Sequence, residues 1–168
     1  VLQEGELGGG DGGDLRVDYQ TIHHLEPAGG PEGVERRRLR PPVAGLEALL
    51  RWNHPELGDI GADEITEVAR STGLRDTLAW WVVNRVCGDA AAWVEHRPGA
   101  DFFVSLDGWS DHGGRGLVDN LERALALHGL DPRRLLVEMG EPLVASEPTT
   151  IGATLQALRQ LGVGVLLD

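Results

Sequence analysis

The sequence is poor in the residue types that build disulfide-linked, membrane-spanning and nucleic-acid-binding proteins. It has a single cysteine, Cys87, so an intramolecular disulfide is impossible and a cytoplasmic, reducing location is expected. The longest apolar run, near Leu78–Val83, is far shorter than the ~20 residues that cross a bilayer, which predicts that this chain has no membrane segment. We therefore look for function in a water-exposed domain.

Basic residues are also scarce relative to acidic ones. The chain has 15 Lys and Arg against 27 Asp and Glu, a formal net charge of −12 at pH 7. A surface of that charge repels polyanions, which argues against nonspecific binding of a nucleic-acid polymer. It leaves open a small phosphate ligand that is held by a metal ion and one well-placed arginine.

The rest of the composition is that of an ordinary globular domain, with 41% hydrophobic residues in 168. Gly8–Asp14 reads GGGDGGD, so we predict a flexible linker or the end of an upstream segment over residues 1–14 and the domain over 15–168. No signal peptide is evident at the start. The chain opens without Met and stops at Asp168 inside an apolar run, so we expect a fragment of a longer protein.

Strand-like and helix-like patterns alternate through the domain. The predicted strands are Leu15–Ile22, Gly45–Trp52, Asp101–Leu106, Leu135–Met139 and Val163–Asp168. The predicted helices are Ala62–Thr72, which Gly73 can cap, Asp76–Val94, Leu117–His128, which Gly129 ends, and Ser146–Gln160. Residues 23–42, with the basic run Arg36–Arg40, are predicted to be a solvated loop. Strands separated by helices indicate an α/β fold with a parallel sheet and crossover helices.

Several of these strands carry a polar residue on one face and apolar residues on the other. Glu47, Glu138 and Asp168 are the carboxylates among them. A Glu in an apolar strand is costly to bury unless it is paired or bound to a metal, so these residues suggest carboxylates that converge on a hard cation. An alternative remains open, in which Glu47 pairs with Arg51 and Glu138 finds a backbone partner.

The segment EALLRWNHPELG, which begins at Glu47, resembles the signature of the EAL domain, the cyclic di-GMP phosphodiesterase family. Four further segments resemble family motifs in the same order. They are Asp18–Ile22 (family Tyr-Gln-Pro-Ile), Ala69–Leu74 (Ala-Glu-Glu-x-Gly-Leu), Val104–Asp107 (Val-Asn-Leu-Ser) and Glu138–Glu141 (Glu-Ile-Thr-Glu). Val163–Asp168 resembles the strand that leads into Asp-Asp-Phe-Gly, and it stops at the first Asp.

The resemblance implies a TIM-type (β/α) barrel whose first strand is antiparallel. About five of the eight barrel strands are visible, so the barrel is expected to be incomplete. It also implies two divalent cations, Mg²⁺ or Mn²⁺, that activate a water to cleave cyclic di-GMP to the linear dinucleotide. The family's metal ligands correspond to Glu47, Glu138, Asp168 and, at an Asn position, Ser105. The substrate-binding positions are Gln20, Leu49 and Arg51, and Glu141 has a supporting role.

Departures from the family pattern bear on activity. Ser105 stands where the family has an Asn ligand, and a Ser hydroxyl is a shorter and weaker donor to a hard cation. Gly140 replaces the Thr before Glu141. Because the chain stops at Asp168, the family's second Asp, its catalytic Lys and its later Glu are not among the 168 residues. We therefore expect a degenerate site and no hydrolysis by this chain.

Three functions remain for the natural protein. It could be a phosphodiesterase whose remaining part lies outside this chain, a cyclic di-GMP receptor that does not cut its ligand, or a scaffold that works through protein contacts without a nucleotide. The resemblance further implies a possible homodimer and a possible upstream sensor or cyclase domain as partners. Cys87, within a predicted helix, is interpreted as a small core residue rather than a nucleophile.

Overall fold

The computed structural model describes residues 8–10, 13–23, 43–96, 103–107, 115–139 and 148–167. Within them lie seven strands: β1 Gly8–Gly10, β2 Gly13–His23, β3 Val43–His54, β4 Gly58–Gly61, β5 Phe103–Asp107, β6 Leu135–Met139 and β7 Gly164–Leu167. There are four α-helices, α1 Ala62–Thr72, α2 Arg75–His96, α3 Arg115–His128 and α4 Pro148–Leu161, and a 3₁₀ turn at Pro132–Arg134. The basic run Arg36–Arg40 and the predicted helix start at Ser146 lie outside the described residues.

The strands form one sheet in the order β1-β2-β3-β5-β6-β7, and β4 pairs with β3 beside that path. β3, β5, β6 and β7 are parallel, whereas β2 pairs antiparallel with β3 from Asp14 to His23. Helices lie between the parallel strands in sequence, as a parallel sheet requires. The predicted α/β fold, with an incomplete barrel and an antiparallel first strand, is confirmed.

Two short strands were not expected from the sequence. β4 has four residues, two of them glycine, and it pairs with the end of β3 from Arg51 to His54. β1 places Gly8–Gly10, from the segment predicted as a linker, beside the start of β2. Neither segment has the β-branched or alternating pattern that identifies a strand, because both are set by backbone pairing with a longer neighbour.

The first helix has the bounds that its sequence predicts. Ile65 and Ala69 are buried on its inner side. Gly73 adopts a left-handed conformation with φ 73°, and the N–H of Leu74 donates to the Ala69 carbonyl at 2.8 Å. This arrangement is a Schellman-type helix end, which only a glycine adopts without strain. Val68 has the spacing of a core residue but is 47% exposed.

The core lies between the sheet and the helices. Leu135, Val137 and Met139 alternate along β6 and are fully buried. The helix residues that share this core with no exposed surface are Val86, Cys87 and Ala90 of α2, Leu121 and Ala124 of α3, and Leu158 of α4. Each large side chain buried here contributes about 1.5–3 kcal/mol relative to an exposed position. We call this side of the sheet the outer face and the opposite side the inner face.

Helices α2 and α3 pack closely because Gly88 leaves room for His128. A Cβ on Gly88 would lie 3.1 Å from the His128 ring, and the ring Nε2 is 3.0 Å from Asn84 Oδ1. One turn away, the Arg123 guanidinium lies 4.1 Å from the centre of the Trp80 ring. A small residue, a polar contact and a cation–π contact together hold α2 and α3 against each other.

Candidate functional site

The predicted site residues are brought to one level of the sheet by strand register. Gln20 of β2 pairs with Glu47 of β3, and Glu47 pairs with Ser105 of β5. These three positions stand side by side, each about 5 Å from the next. Gln20 is exposed and Glu47 is half-buried, so the inner face here is accessible to a ligand.

The second predicted carboxylate lies two residues nearer the carboxyl ends of the strands. Glu138 of β6 is half-buried and stands in register with Asp107 of β5. It lies two strand spacings, about 10 Å, from the strand of Glu47. β5 runs between the two glutamates, with Ser105 level with one and Asp107 level with the other.

Leu49 and Arg51 follow Glu47 on the same side of β3, at intervals of two residues. Both are half-buried, and Arg51 donates from Nη1 to the Leu50 carbonyl at 3.2 Å. Arg51 lies at the carboxyl end of the strand, the edge at which parallel α/β barrels bind their ligands. It pairs there with Arg16 of β2 and Gly61 of β4.

The alternative pairing of Glu47 with Arg51 is wrong. No ion pair joins them among the described side chains. The physical reason is the extended backbone, since residues four apart in a strand are separated by about 13 Å. Neither charge is therefore neutralised by the other. Glu138 has a contact within the chain, so its charge is not isolated.

The described donors suit a divalent cation in type but supply only part of a site. Glu47 and Glu138 offer carboxylate oxygens, which Mg²⁺ and Mn²⁺ prefer. Among the described residues, no three His, Cys, Asp or Glu side chains cluster tightly enough to hold a metal. Asp168 and Glu141, which complete the predicted set, lie outside the described residues. The position of Ser105 is given by the backbone register of β5.

An ion-pair cluster at the carboxyl edge was missed from the sequence. Arg16 donates from Nε to Asp18 Oδ1 at 3.1 Å and from Nη2 to Asp59 Oδ1 at 3.2 Å. Hydrogen bonding to Asp18, and then to Asp59, raises the pKa of Arg16 above its usual value. The alternation of β2 identifies Arg16 and Asp18 as neighbours on one face, whereas Asp59 could be placed there only by knowing β4.

The strand of Gln20 is anchored from the other side by its neighbour Tyr19. The Tyr19 hydroxyl donates to Asp89 Oδ2 on α2 at 2.8 Å, and Arg85 Nε donates to the same oxygen at 2.9 Å. The Tyr19 ring meets Trp93 edge to face, with 4.6 Å between ring centres. Burial, and then the bond to Asp89, raise the pKa of Tyr19 well above its usual value. This contact ties the antiparallel strand to α2.

Two further residues have structural roles. His54 Nδ1 accepts hydrogen bonds from the N–H groups of Glu56 and Leu57, both at 3.2 Å, which closes the turn between β3 and β4. Cys87 is fully buried in α2, and burial raises the pKa of its thiol to about 12. The interpretation of Cys87 as a core residue is therefore confirmed.

None of the described helices is long and apolar enough to cross a membrane.

Comparison with known proteins identifies relatives of this chain. The bifunctional diguanylate cyclase/cyclic di-GMP phosphodiesterase MucR of Pseudomonas aeruginosa is 30% identical over 167 residues, which cover 92% of this chain and 24% of that protein. The chain thus spans about a quarter of the length of that relative.

Solved structures agree with the sequence relationship. The PaMucR phosphodiesterase in complex with c-di-GMP matches with a TM-score of 0.75 and 29% identity, over 92% of this chain and 57% of that one. The FimX EAL domain of Pseudomonas aeruginosa bound to c-di-GMP matches with a TM-score of 0.62 over 74% of this chain and 49% of that one. At 20% identity, the second match shows the fold alone. Because the EAL domain family also matches residues 12–168, nearly the whole sequence, this chain belongs to the EAL domain family.

Proposed function

We propose that this chain binds cyclic di-GMP on the inner face of its sheet and acts as a receptor rather than as a phosphodiesterase. The observation that carries the proposal is Arg51, a half-buried guanidinium at the carboxyl edge with no carboxylate partner among the described side chains. Such a group is suited to a phosphodiester, because its charge and fixed fork of donors match phosphate oxygens. MucR, which is named for cyclic di-GMP chemistry and covers the same region, supports the choice of ligand.

The carboxylates on the same face would supply the metal part of the site. Glu47 and Glu138, with Asp168 and the Ser105 position, would hold Mg²⁺ or Mn²⁺, and the cation would offset the phosphate charge next to this acidic chain. Gln20 and Leu49, which flank Glu47 in register and along β3, would line the nucleotide pocket. Glu141, which follows β6 in the sequence, would have the supporting role that the family resemblance implies.

The choice of receptor over enzyme rests on the residue at position 105. Ser105 offers a weaker donor than the Asn of the family motif, so the cation would be held less firmly. Ligand binding does not need a fully ordered water, so it survives this change.

The first test is equilibrium binding of cyclic di-GMP, by calorimetry with Mg²⁺, to the chain and to Arg51→Ala. Losing a charged hydrogen-bond donor to phosphate is expected to weaken binding about 10- to 100-fold. The matched control is Arg159→Ala, which removes an exposed arginine from α4 on the opposite side of the sheet. Equal affinities for the two variants would contradict the assignment of Arg51.

The same samples separate the three functions. We expect intact cyclic di-GMP by chromatography after incubation with Mg²⁺ or Mn²⁺, together with measurable binding. Linear dinucleotide that disappears in Glu47→Ala would make the chain a phosphodiesterase. No binding by the unaltered chain would leave the scaffold function, which acts through protein contacts. The same experiments on the full-length gene product would show whether the rest of the protein restores hydrolysis.

A further inference from the structure

Two arginines face each other at the carboxyl edge of the sheet. Arg16 of β2 is the register partner of Arg51 of β3 in an antiparallel pair. Cα atoms of such partners are about 4.5–5.5 Å apart, and their side chains emerge on the same face. Like charges placed directly opposite each other destabilise a sheet unless counter-ions are close. The charges around this pair therefore decide what the edge can bind.

Among the described side chains, the carboxylates at this edge pair with Arg16 and none pairs with Arg51. Asp18 and Asp59 both accept from Arg16, whereas Arg51 donates to a main-chain carbonyl. Asp59 belongs to β4, which lies on the far side of β3 from β2. The Arg16 side chain therefore extends across the inner face of β3, close to the strand position that carries Arg51.

The contact between Arg16 and Asp59 is accessible to water. Its side chains are 35% and 65% exposed, and both Nη atoms of Arg16 share a single oxygen, Asp59 Oδ1, at 3.3 and 3.2 Å. Exposed ion pairs of this kind contribute little and exchange readily with solvent or ligand. A phosphodiester that arrives at Arg51 would offer Arg16 an alternative anionic acceptor at the same edge, one that both arginines can share.

We propose that Arg16 is a second phosphate-binding arginine of this chain and that Asp59 is an internal competitor, a carboxylate that occupies Arg16 until a phosphodiester replaces it. The proposal rests on the proposed function for the identity of the ligand and adds to it a specific contact and a means of tuning affinity. Asp59 sets how much of the protein has the Nη groups of Arg16 free, while Asp18 keeps its bond to Nε. The apparent affinity is then reduced by that fraction.

The test compares Arg16→Gln and Asp59→Asn with the chain itself, using cyclic di-GMP with Mg²⁺ and, separately, inorganic phosphate. Arg16→Gln is expected to weaken cyclic di-GMP binding about 10-fold, because a charged donor is lost. Asp59→Asn is expected to tighten binding by about 2- to 5-fold, the equilibrium value of an exposed ion pair. The double variant should bind like Arg16→Gln, since Asp59 acts only through Arg16.

A matched control comes from an exposed pair of the same kind away from the site. Arg133 donates to Asp131 from the 3₁₀ turn, so Arg133→Gln and Asp131→Asn change the net charge by the same amounts. Tighter binding in Asp59→Asn but not in Asp131→Asn supports the proposal. Equal effects in the two Asp variants, or tightening that persists in the double variant, overturn it.

The phosphate measurements separate this proposal from the proposed function. Absence of cyclic di-GMP binding, with phosphate binding that Asp59→Asn strengthens through Arg16, would overturn the ligand but support the two-arginine site. Binding of cyclic di-GMP that is indifferent to Arg16→Gln would support the proposed function and overturn the role of Arg16. A chain that binds neither compound overturns both. Thermal unfolding of each variant checks that affinities are compared between folded proteins.

Discussion

The two faces of the sheet differ in what surrounds them, although the same strands supply both. On β6, the outer face carries Leu135, Val137 and Met139 with no exposed surface, whereas Leu136 and Glu138 of the inner face are half-buried. On β7, Val165 is half-buried and Leu166 is 45% exposed. Alternation by single residues therefore separates a packed core from an accessible surface within one strand.

This difference indicates that the two faces have different roles. Outer-face residues hold the helices, so their replacement acts on folding. Inner-face residues such as Glu47 and Arg51 form no ion pair with another described side chain, so we expect their replacement to act on ligand binding. Substitutions on the two faces test this difference in role.

The largest effect is expected on the outer face at Leu158, a fully buried residue of α4. We expect Leu158→Ala to lower the free energy of unfolding by about 2–5 kcal/mol, because it leaves a cavity in close-packed surroundings. Urea unfolding followed by circular dichroism measures this. Leu166→Ala, the same substitution on the inner face, is the control and should change stability by about 1 kcal/mol or less. Similar losses in the two variants would mean that the faces do not differ in this way.

The next largest effect is expected on the inner face, at Glu47. Glu47→Gln is expected to weaken Mn²⁺ binding about 10- to 100-fold, since a carboxylate ligand becomes a neutral amide. Unfolding free energy should stay within about 0.5 kcal/mol. Mn²⁺ binding is measured by electron paramagnetic resonance of the free ion. Glu95→Gln, an exposed glutamate of α2, is the control, and equal binding by both variants would exclude Glu47 as a ligand.

Tyr19 allows a pH test of the outer face, because it is the only tyrosine in the chain. Its raised pKa means that the folded protein retains this proton more firmly than the unfolded one. The stabilisation is therefore complete below the ordinary tyrosine pKa of about 10 and is lost as pH rises above it. Tyrosinate absorbance at 295 nm should have its midpoint above that of the urea-unfolded chain. Coincident midpoints would rule out the buried contact with Asp89.

The smallest effect is expected on the inner face, where one substitution would restore the metal ligand of the family motif. Ser105→Asn should strengthen Mn²⁺ binding by roughly 3- to 10-fold, because an amide carbonyl is a longer and better donor to a hard cation. Ser71→Asn, at the exposed end of α1, controls for the substitution itself. If affinity falls in Ser105→Asn alone, this position does not face the cation.

Local sequence signals predicted the elements that are stable by their own pattern. α1 and β6 have the predicted bounds, and the left-handed Gly73 ends α1 as expected. The sequence predicted the structure less well where pairing with a strand distant in sequence decides it. β4 exists because β3 offers an edge to pair with, and the antiparallel direction of β2 came from the family resemblance, since alternating strands and helices indicate only a parallel sheet.

The same limit applies to the candidate site. Strand alternation placed Glu47, Leu49 and Arg51 on one face correctly, because that periodicity is local. It also suggested an ion pair between Glu47 and Arg51, which the extended backbone separates by about 13 Å. The contact of Arg16 with Asp59 spans 43 residues and three strands, so no local pattern could reveal it.

The reversed direction of β2 has a practical consequence for probes and fusions. A strand parallel to the others would begin at the edge far from Arg51, but β2 begins beside it, and Gly13 lies only three positions before Arg16. That is about 10 Å of extended chain. A fluorophore attached just ahead of β2 would therefore report occupancy of the site directly, and a bulky fusion partner at the same point would obstruct it. One attached near His128, at the end of α3, would do neither.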